Sequence, residues 1–177
     1  MPSGIIDALT GMNPGISGDH HYIHLGLGYV LSGQTGSIAA AGVEHISFKT
    51  PVASLGVMHF RPARFSSRAN SMSLSIIEDA VMTGGTAATP RNRNRLAGDK
   101  SKVVAATGAT LSVAGLRTIY TDEVGTGGAS NRGGGGGSSD EEIILKPDTT
   151  YCITFTNTGS STATVGTYTL FWYEEKR

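Results

Sequence analysis

The last quarter of the chain, Asp140 to Glu175, carries the strongest strand signal and constrains the fold most. It contains a short apolar run, a Lys-Pro-Asp turn, a second run, an Asn-Thr-Gly-Ser turn and a long closing run. In the second run, Tyr151, Ile153 and Phe155 alternate with smaller or more polar residues. This period of two is typical of a half-buried strand, and short turns join antiparallel strands. The sequence therefore predicts an antiparallel β protein.

The closing run differs from the others because its end is apolar on both faces. Residues 168–173 read Tyr-Thr-Leu-Phe-Trp-Tyr, so large side chains point in both directions if the segment is a strand. A sandwich buries one face of a strand, and a second apolar face needs cover from elsewhere in the chain or from another copy. We therefore predict an oligomer contact formed by Tyr168, Leu170, Trp172 and Tyr173.

Chain length and turn spacing indicate how the strands are organised. A chain of 177 residues is long enough for one domain with a sizeable core, and its 25 glycines suit a protein rich in loops. The predicted fold is all-β, with about seven or eight strands in a single-domain β-sandwich or jelly roll. We expect this domain to span residues 43–177. Residues 1–42 are expected to form an extended N-terminal arm and a first weak strand.

Two stretches rich in turn residues interrupt the strand pattern. FRPARFSSRANS, residues 60–71, lies between the strand-like segments 53–60 and 72–82. Residues 125–139 read GTGGASNRGGGGGSS, which has too few side chains to hold a strand and predicts a flexible surface tip. The sandwich is therefore expected to carry long glycine-rich loops.

Charge and cysteine content exclude several classes of protein. Fourteen basic and fourteen acidic residues balance, which does not indicate a nucleic-acid binder, although residues 49–102 carry nine basic against three acidic residues. Cys152 is the single cysteine, so no internal disulfide can form, and we interpret it as a small filler on the threonine-bearing face of its strand. No segment resembles a secretory signal or a membrane span. We therefore expect synthesis in a reducing cytoplasm and no membrane partner.

Two motifs are candidates for contact with a partner. HHYIH, residues 20–24, has three imidazoles, but no nearby Cys or carboxylate pattern completes a ligand set, so no metal site is predicted. RNRNR, residues 91–95, would project three guanidiniums to one side if it were extended. It lacks the interleaved aromatic residues of a nucleic-acid surface. An acidic protein surface is the favoured partner, and a solvated loop without a partner is the alternative.

No pattern in the chain predicts catalysis. The nucleophile elbow G-x-S-x-G is absent from the sequence, and glycines 133–137 are not followed by the Lys-Ser or Lys-Thr of a phosphate-binding loop. Adjacent acidic residues such as Asp122 and Glu123 point to opposite faces of a strand and do not form an acid–base pair. A jelly-roll metal enzyme would need a spaced set of His and Glu, for which HHYIH is the sole hint. We therefore predict neither an enzyme nor a cofactor.

Four segments resemble a group of small head decoration proteins of tailed bacteriophages, also called capsid cement or auxiliary head proteins. The resemblance covers roughly residues 43–175 and implies a β-sandwich that forms small oligomers outside an icosahedral head, where it ties neighbouring major capsid subunits together. No catalytic residue is implied. The segments are HFRPARFSS (59–67), TPRNRNR (89–95), DEEIILKPDTTYCITFTN (140–157) after the glycine-rich loop, and TLFWYEE (169–175).

The resulting hypothesis is a structural virion protein on the outer capsid surface, made in the host cytoplasm, with the major capsid protein as partner. A homotrimer is favoured over a dimer, and no direct contact with nucleic acid is expected. The alternative is a carbohydrate- or receptor-binding jelly-roll module of a phage fibre or tail, against which the single Trp in a strand pattern counts. The hypothetical capsid contacts are His20, His21, Tyr22, His24, Arg91, Arg93 and Arg95.

Overall fold

The computed structural model describes residues 18–53, 57–115, 117–125, 134–136 and 142–175, and these form one short helix and fourteen strands. This confirms the all-β class. None of the described helical residues forms a span long and apolar enough to cross a membrane. The elements are α1 Gly18–His24, β1 Gly28–Gln34, β2 Val43–Lys49, β3 Val57–Ser67, β4 Met72–Glu78, β5 Val81–Thr83, β6 Thr86–Ala88, β7 Arg91–Asn92, β8 Val104–Thr107, β9 Thr110–Val113, β10 Arg117–Val124, β11 Gly134–Gly136, β12 Ile143–Leu145, β13 Thr150–Asn157 and β14 Gly166–Glu175.

Two antiparallel sheets contain most of these strands. The first has the order β11–β3–β14–β1–β7, with β12 also paired to β3, and the second has the order β10–β4–β13–β2–β8–β6. Strands β5 and β9 form a separate two-stranded pair. The chain folds as nested pairs, because β1 pairs with β14, β2 with β13, β3 with β12 and β4 with β10. This nesting is compatible with the predicted jelly roll.

Aromatic rings pack the two sheets against each other. Phe48 of the second sheet meets Trp172 and Phe60 of the first, with ring centroids 5.2 Å and 5.5 Å away, both edge to face. Phe155 of the second sheet lies 5.3 Å from Tyr168 of the first. These rings belong to one continuous cluster of buried residues, and alternation along each strand brings them to the inner face. The sheets therefore form a sandwich around one core.

The residues predicted to contact a second copy are buried within the single chain. Leu170 and Trp172, exposed to 0% and 2%, face the core together with Tyr168. Tyr173 faces the other way, yet it is covered by the rings of Tyr22 and His59. The second apolar face thus finds its cover inside the chain, so these four side chains do not present a surface to another copy. Oligomerisation itself stays a prediction.

The predicted arm is not extended where the structure describes it. Residues 18–24 form helix α1, and residues 1–17 lie outside the described residues. The weak first strand β1 pairs along its whole length with β14 and also with β7. Its glycines weaken the sequence signal, but two neighbouring strands supply the hydrogen bonds and the packing that hold it. Strand β1 therefore belongs to the sandwich, which begins before residue 43.

Strand structure also extends into the segment 60–71 and into the predicted glycine-rich loop. β3 runs through most of residues 60–71, and its register with β14 shifts between Thr169 and Phe171, opposite the part of β3 that holds Pro62. A bulge of this kind accommodates a residue that has no N–H to donate. In the glycine-rich stretch, β11 pairs with β3 through its backbone alone. The rest of the predicted flexible tip, at 126–133 and 137–139, lies outside the described residues.

The segment between β4 and β10 closes one side of the sandwich. Its strands β6 and β8 extend the second sheet beyond β2, whereas β7 joins the first sheet beside β1. The chain therefore crosses from one sheet to the other and back. The RNRNR motif lies where this segment reaches the first sheet, next to β1.

Replacing Phe155 with Ala tests whether the aromatic packing holds the two sheets together. Phe155 is fully buried between them, so Phe155→Ala should lower the free energy of unfolding by about 3–5 kcal/mol. Urea unfolding followed by tryptophan fluorescence measures the change. The control is Val104→Ala, at a side chain that is 69% exposed, which should change stability by less than about 0.5 kcal/mol. Equal stability of the two variants would contradict the described core.

Candidate docking face

The fold brings the two predicted contact motifs together, although about 70 residues separate them. The Asn92 side-chain amide donates to the Gly26 carbonyl at 2.7 Å, and the Asn94 amide donates to the His24 carbonyl at 3.1 Å. The backbone N–H of Arg93 donates to the Gly28 carbonyl at 2.9 Å. We name this joint surface, formed by His20–Gly26 and Arg91–Ala97, the helix–loop face.

The asparagines of RNRNR shape the loop. Asn92 Oδ1 accepts the N–H of Asn94 at 2.8 Å, and Asn94 Oδ1 accepts the N–H of Leu96 at 3.0 Å. Each asparagine thus closes a turn on the backbone two residues later, as Asn often does. The asparagines of the motif form hydrogen bonds to backbone groups of the loop and of the α1 segment, whereas the arginines that alternate with them do not take part in these bonds. The spacing of the residues in the sequence does not distinguish the two roles.

The three arginines do not form the predicted comb. Only Arg91 and Asn92 are extended, and the chain then bends and turns. The guanidinium of Arg93 lies over the Phe171 ring, 5.0 Å from its centroid, a cation–π contact within the chain. Arg91 and Arg95 are exposed. The prediction of three guanidiniums on one side is therefore wrong, and two of them remain at the surface of the helix–loop face.

A buried carboxylate fixes the end of the loop. Glu174 is only 4% exposed. It accepts hydrogen bonds from Ser101 Oγ at 2.6 Å, from the backbone N–H of Lys102 at 3.0 Å and from the Trp172 indole N–H at 3.3 Å. Hydrogen bonds to a charged acceptor are stronger than those to a neutral one. The segment from Arg91 to Lys102 is thus held at its start by asparagine side chains and at its end by Glu174.

The HHYIH motif is helical, which changes which of its side chains lie together. In α1 the rings of His20 and His24 are neighbours, with centroids 4.8 Å apart, as residues four apart in a helix are. Tyr22 points elsewhere and stacks on Tyr173 at 4.1 Å, while His21 meets Tyr22 edge to face at 5.9 Å. An extended segment would place His20, Tyr22 and His24 on one side, but the helix separates Tyr22 from the two histidines. Tyr22 attaches the helix to the sandwich.

A polar cluster lies beside this attachment point. The Glu142 carboxylate accepts a hydrogen bond from the Tyr173 hydroxyl at 2.5 Å. The same carboxylate lies 2.7 Å from His59 Nδ1 and 3.4 Å from a guanidinium nitrogen of Arg61. The other ring nitrogen of His59 lies 3.4 Å from the carboxylate of Glu175. Sequence reasoning missed this cluster because its members come from three separate strands or their flanks. It surrounds Tyr173 and so secures the surface on which Tyr22 stacks.

The cluster keeps Glu142 ionised. Burial alone would raise the pKa of the Glu142 carboxyl, but hydrogen bonds from Tyr173 and His59, with the charges of His59 and Arg61, outweigh burial and leave the pKa below its ordinary value. Burial, reinforced by the hydrogen bond to Glu142, raises the pKa of the Tyr173 hydroxyl. At neutral pH the neutral tyrosine hydroxyl therefore donates a hydrogen bond to the ionised carboxylate.

Cys152 is fully buried on the threonine-bearing face of β13, as predicted. Its Sγ lies 3.4 Å from Thr154 Oγ1 and 3.5 Å from His45 Nδ1. Burial raises the pKa of the Cys152 thiol and lowers the pKa of the His45 imidazole. Both groups are therefore held in their neutral forms, which is unsuited to a thiolate nucleophile.

The Glu142 cluster should make stability depend on pH. Because the pKa of Glu142 is lower in the folded than in the unfolded chain, its contribution is complete above the unfolded-state value of about 4.3 and is lost as pH falls through the folded-state value. Urea unfolding of the wild type and of Glu142→Gln, at about pH 5.5 and about pH 3, measures this. The stability difference between the two proteins should shrink toward low pH. A constant difference would exclude the assigned linkage.

The Glu174 anchor predicts a second loss of stability. Glu174→Ala removes the acceptor of three donors and should cost about 1.5–3 kcal/mol, with faster hydrogen exchange at the Lys102 amide. Glu174→Gln keeps one acceptor oxygen and should cost less. If both variants unfold like the wild type in urea and exchange at the same rate, the anchor does not hold the loop.

Among the described residues, no group of three or more His, Cys, Asp or Glu side chains is arranged to hold a metal ion. The chemistry of the helix–loop face consists of exposed cations and apolar side chains on a backbone held by hydrogen bonds. Comparison with known protein families, curated proteins and solved structures finds no match to this chain.

Proposed function

We propose that the protein is a structural virion protein that binds the outer surface of a phage capsid and stabilises the shell by bridging neighbouring major capsid subunits. The observation that carries this proposal is the helix–loop face, in which two predicted contact motifs adjoin. The segment from Arg91 to Lys102 contains five basic residues and one acidic residue. A local positive surface on a chain of zero formal charge favours an acidic partner. The resemblance to head decoration proteins supplies the identity of that partner.

The proposed stabilisation is a linkage effect. A protein that binds the assembled shell and not its dissociated subunits shifts the equilibrium toward the shell, by an amount that grows with its concentration relative to its dissociation constant. Many identical contacts on a lattice then act together. The described part of the chain suits this role because the docking segments are held by side-chain hydrogen bonds, so little ordering is required on binding.

The oligomeric state is a separate part of the proposal. The resemblance favours a homotrimer over a dimer, with the trimer placed at a symmetry axis of the shell. The interface would use residues other than Tyr168, Leu170, Trp172 and Tyr173, because these are buried within one chain.

The alternative of a carbohydrate-binding module gains no support from the described residues. Such sites use an exposed aromatic platform, whereas Trp172, the only tryptophan, is 2% exposed in the core.

The double variant Arg91→Ser/Arg95→Ser tests the proposed function. Shells assembled from the major capsid protein encoded in the same genome are mixed with purified protein, and bound copies per shell are counted after sedimentation. The variant should bind about tenfold or more weakly at low salt, and this difference should shrink as the salt concentration rises. Its fold should be unchanged, because both residues are exposed.

The matched control is Lys49→Ser/Arg68→Ser, which removes two exposed charges outside the helix–loop face. It should bind like the wild type. Light scattering of each protein before mixing gives the oligomeric state, so that a loss of binding is not confused with a loss of assembly. Wild-type protein that fails to bind such shells under any condition would refute the proposal.

A further inference from the structure

Leu96 has an unusual position at the tip of the helix–loop face. It is 98% exposed, whereas the next most exposed large apolar side chain in the described part of the chain, Val104, is 69% exposed. A leucine side chain in full contact with water does not stabilise the fold by burial. Its apolar surface would leave water only if it were buried in a partner. Single exposed apolar residues are common on protein surfaces. The surroundings of Leu96 therefore decide whether its exposure indicates a binding site.

The backbone around Leu96 is held in place. The N–H of Leu96 donates to Asn94 Oδ1 at 3.0 Å, and the N–H of Ala97 donates to the Asn94 carbonyl at 3.1 Å. Ala97 also packs against Gly26, so closely that a Cβ added there would lie 2.8 Å from the Ala97 Cβ. Leu96 is thus presented by a preorganised turn, which reduces the entropy lost on binding.

The segment that packs against this turn carries a second exposed leucine. Leu25, which is 55% exposed, directly precedes Gly26 in the chain. Leu96 directly precedes Ala97 in the same way. The contact between Gly26 and Ala97 therefore brings together the two segments that carry these exposed leucines. Arg95, which is exposed, adjoins Leu96 in the chain. The face therefore combines an apolar projection with cations beside it.

We infer that Leu96 is an apolar anchor that inserts into a socket on an acidic protein surface, with Arg91 and Arg95 paired to carboxylates around that socket. This inference rests on the proposed function, in which the partner is the major capsid protein. Binding hot spots typically have this form, a buried anchor within a polar rim. The charge would also suit nucleic acid, but an aliphatic side chain neither hydrogen-bonds to phosphates nor stacks on bases. Leu96 therefore favours a protein partner.

The test compares Leu96→Ser with Leu96→Met in the shell-binding titration described above. Leu96→Ser should raise the dissociation constant about tenfold or more, since it removes most of the apolar surface that binding buries. Leu96→Met keeps an apolar side chain of similar volume and should bind within about a few-fold of the wild type. The loss in Leu96→Ser should persist at high salt, unlike that of the arginine variant, because apolar burial is not screened.

The control is Ile144→Ser, which removes another large side chain that is 64% exposed. It lies on β12, at the edge of the first sheet opposite β7, and should leave binding unchanged. Thermal unfolding of all variants should match the wild type, because each altered side chain is mostly in water.

The outcomes separate this inference from the proposed function. If the wild type binds shells and Leu96→Ser binds equally well, the anchor is refuted and the proposed function stands. If the wild type does not bind shells, both are refuted. Fluorescence anisotropy with duplex DNA provides a further arm. DNA binding that is lost in the arginine variant and retained in Leu96→Ser would identify a nucleic-acid surface and overturn the inference.

Discussion

Four consecutive residues of strand β14 hold the candidate site to the sandwich. The Phe171 ring lies beneath the Arg93 guanidinium, and Trp172 packs against Phe48 in the core. Tyr173 stacks on Tyr22 of helix α1. Glu174 accepts hydrogen bonds from the end of the 91–102 segment. Because β14 lies between β3 and β1 within its sheet, a rigid strand positions both halves of the helix–loop face.

This arrangement explains why an apolar strand end need not indicate self-association. Sequence alternation shows that both faces of residues 168–173 carry large side chains, but it does not show what covers them. Here helix α1 and the segment between β4 and β10 both cover the outer face of β14. The segments that cover this apolar face are the two halves of the helix–loop face. Loss of that cover would expose β14 and displace both halves of the helix–loop face together.

The asparagines and the arginines of RNRNR have different structural roles, which also follow from contacts that the sequence pattern does not show. Asparagine and arginine are both polar, and a strand-like pattern treats them as two faces. In the structure the short Asn side chains reach backbone groups within the loop and α1, whereas longer arginines reach beyond it. Side-chain length and hydrogen-bond geometry, rather than polarity, decide which residues form the turn and which extend away from it.

The sequence by itself determined the all-β class, the placement of Tyr151, Ile153 and Phe155 on one face of β13, and that of Cys152 on the threonine-bearing face, because these depend on periods of two residues within single strands. It also identified both motifs of the candidate site. Only the tertiary structure decided that the motifs adjoin, that β1 is a full member of the sheet, and that Tyr173 is covered by Tyr22. The polar cluster of His59, Glu142 and Tyr173 is likewise beyond sequence patterns. Such contacts join residues far apart in the chain, and local periodicity carries no information about which distant segments will meet.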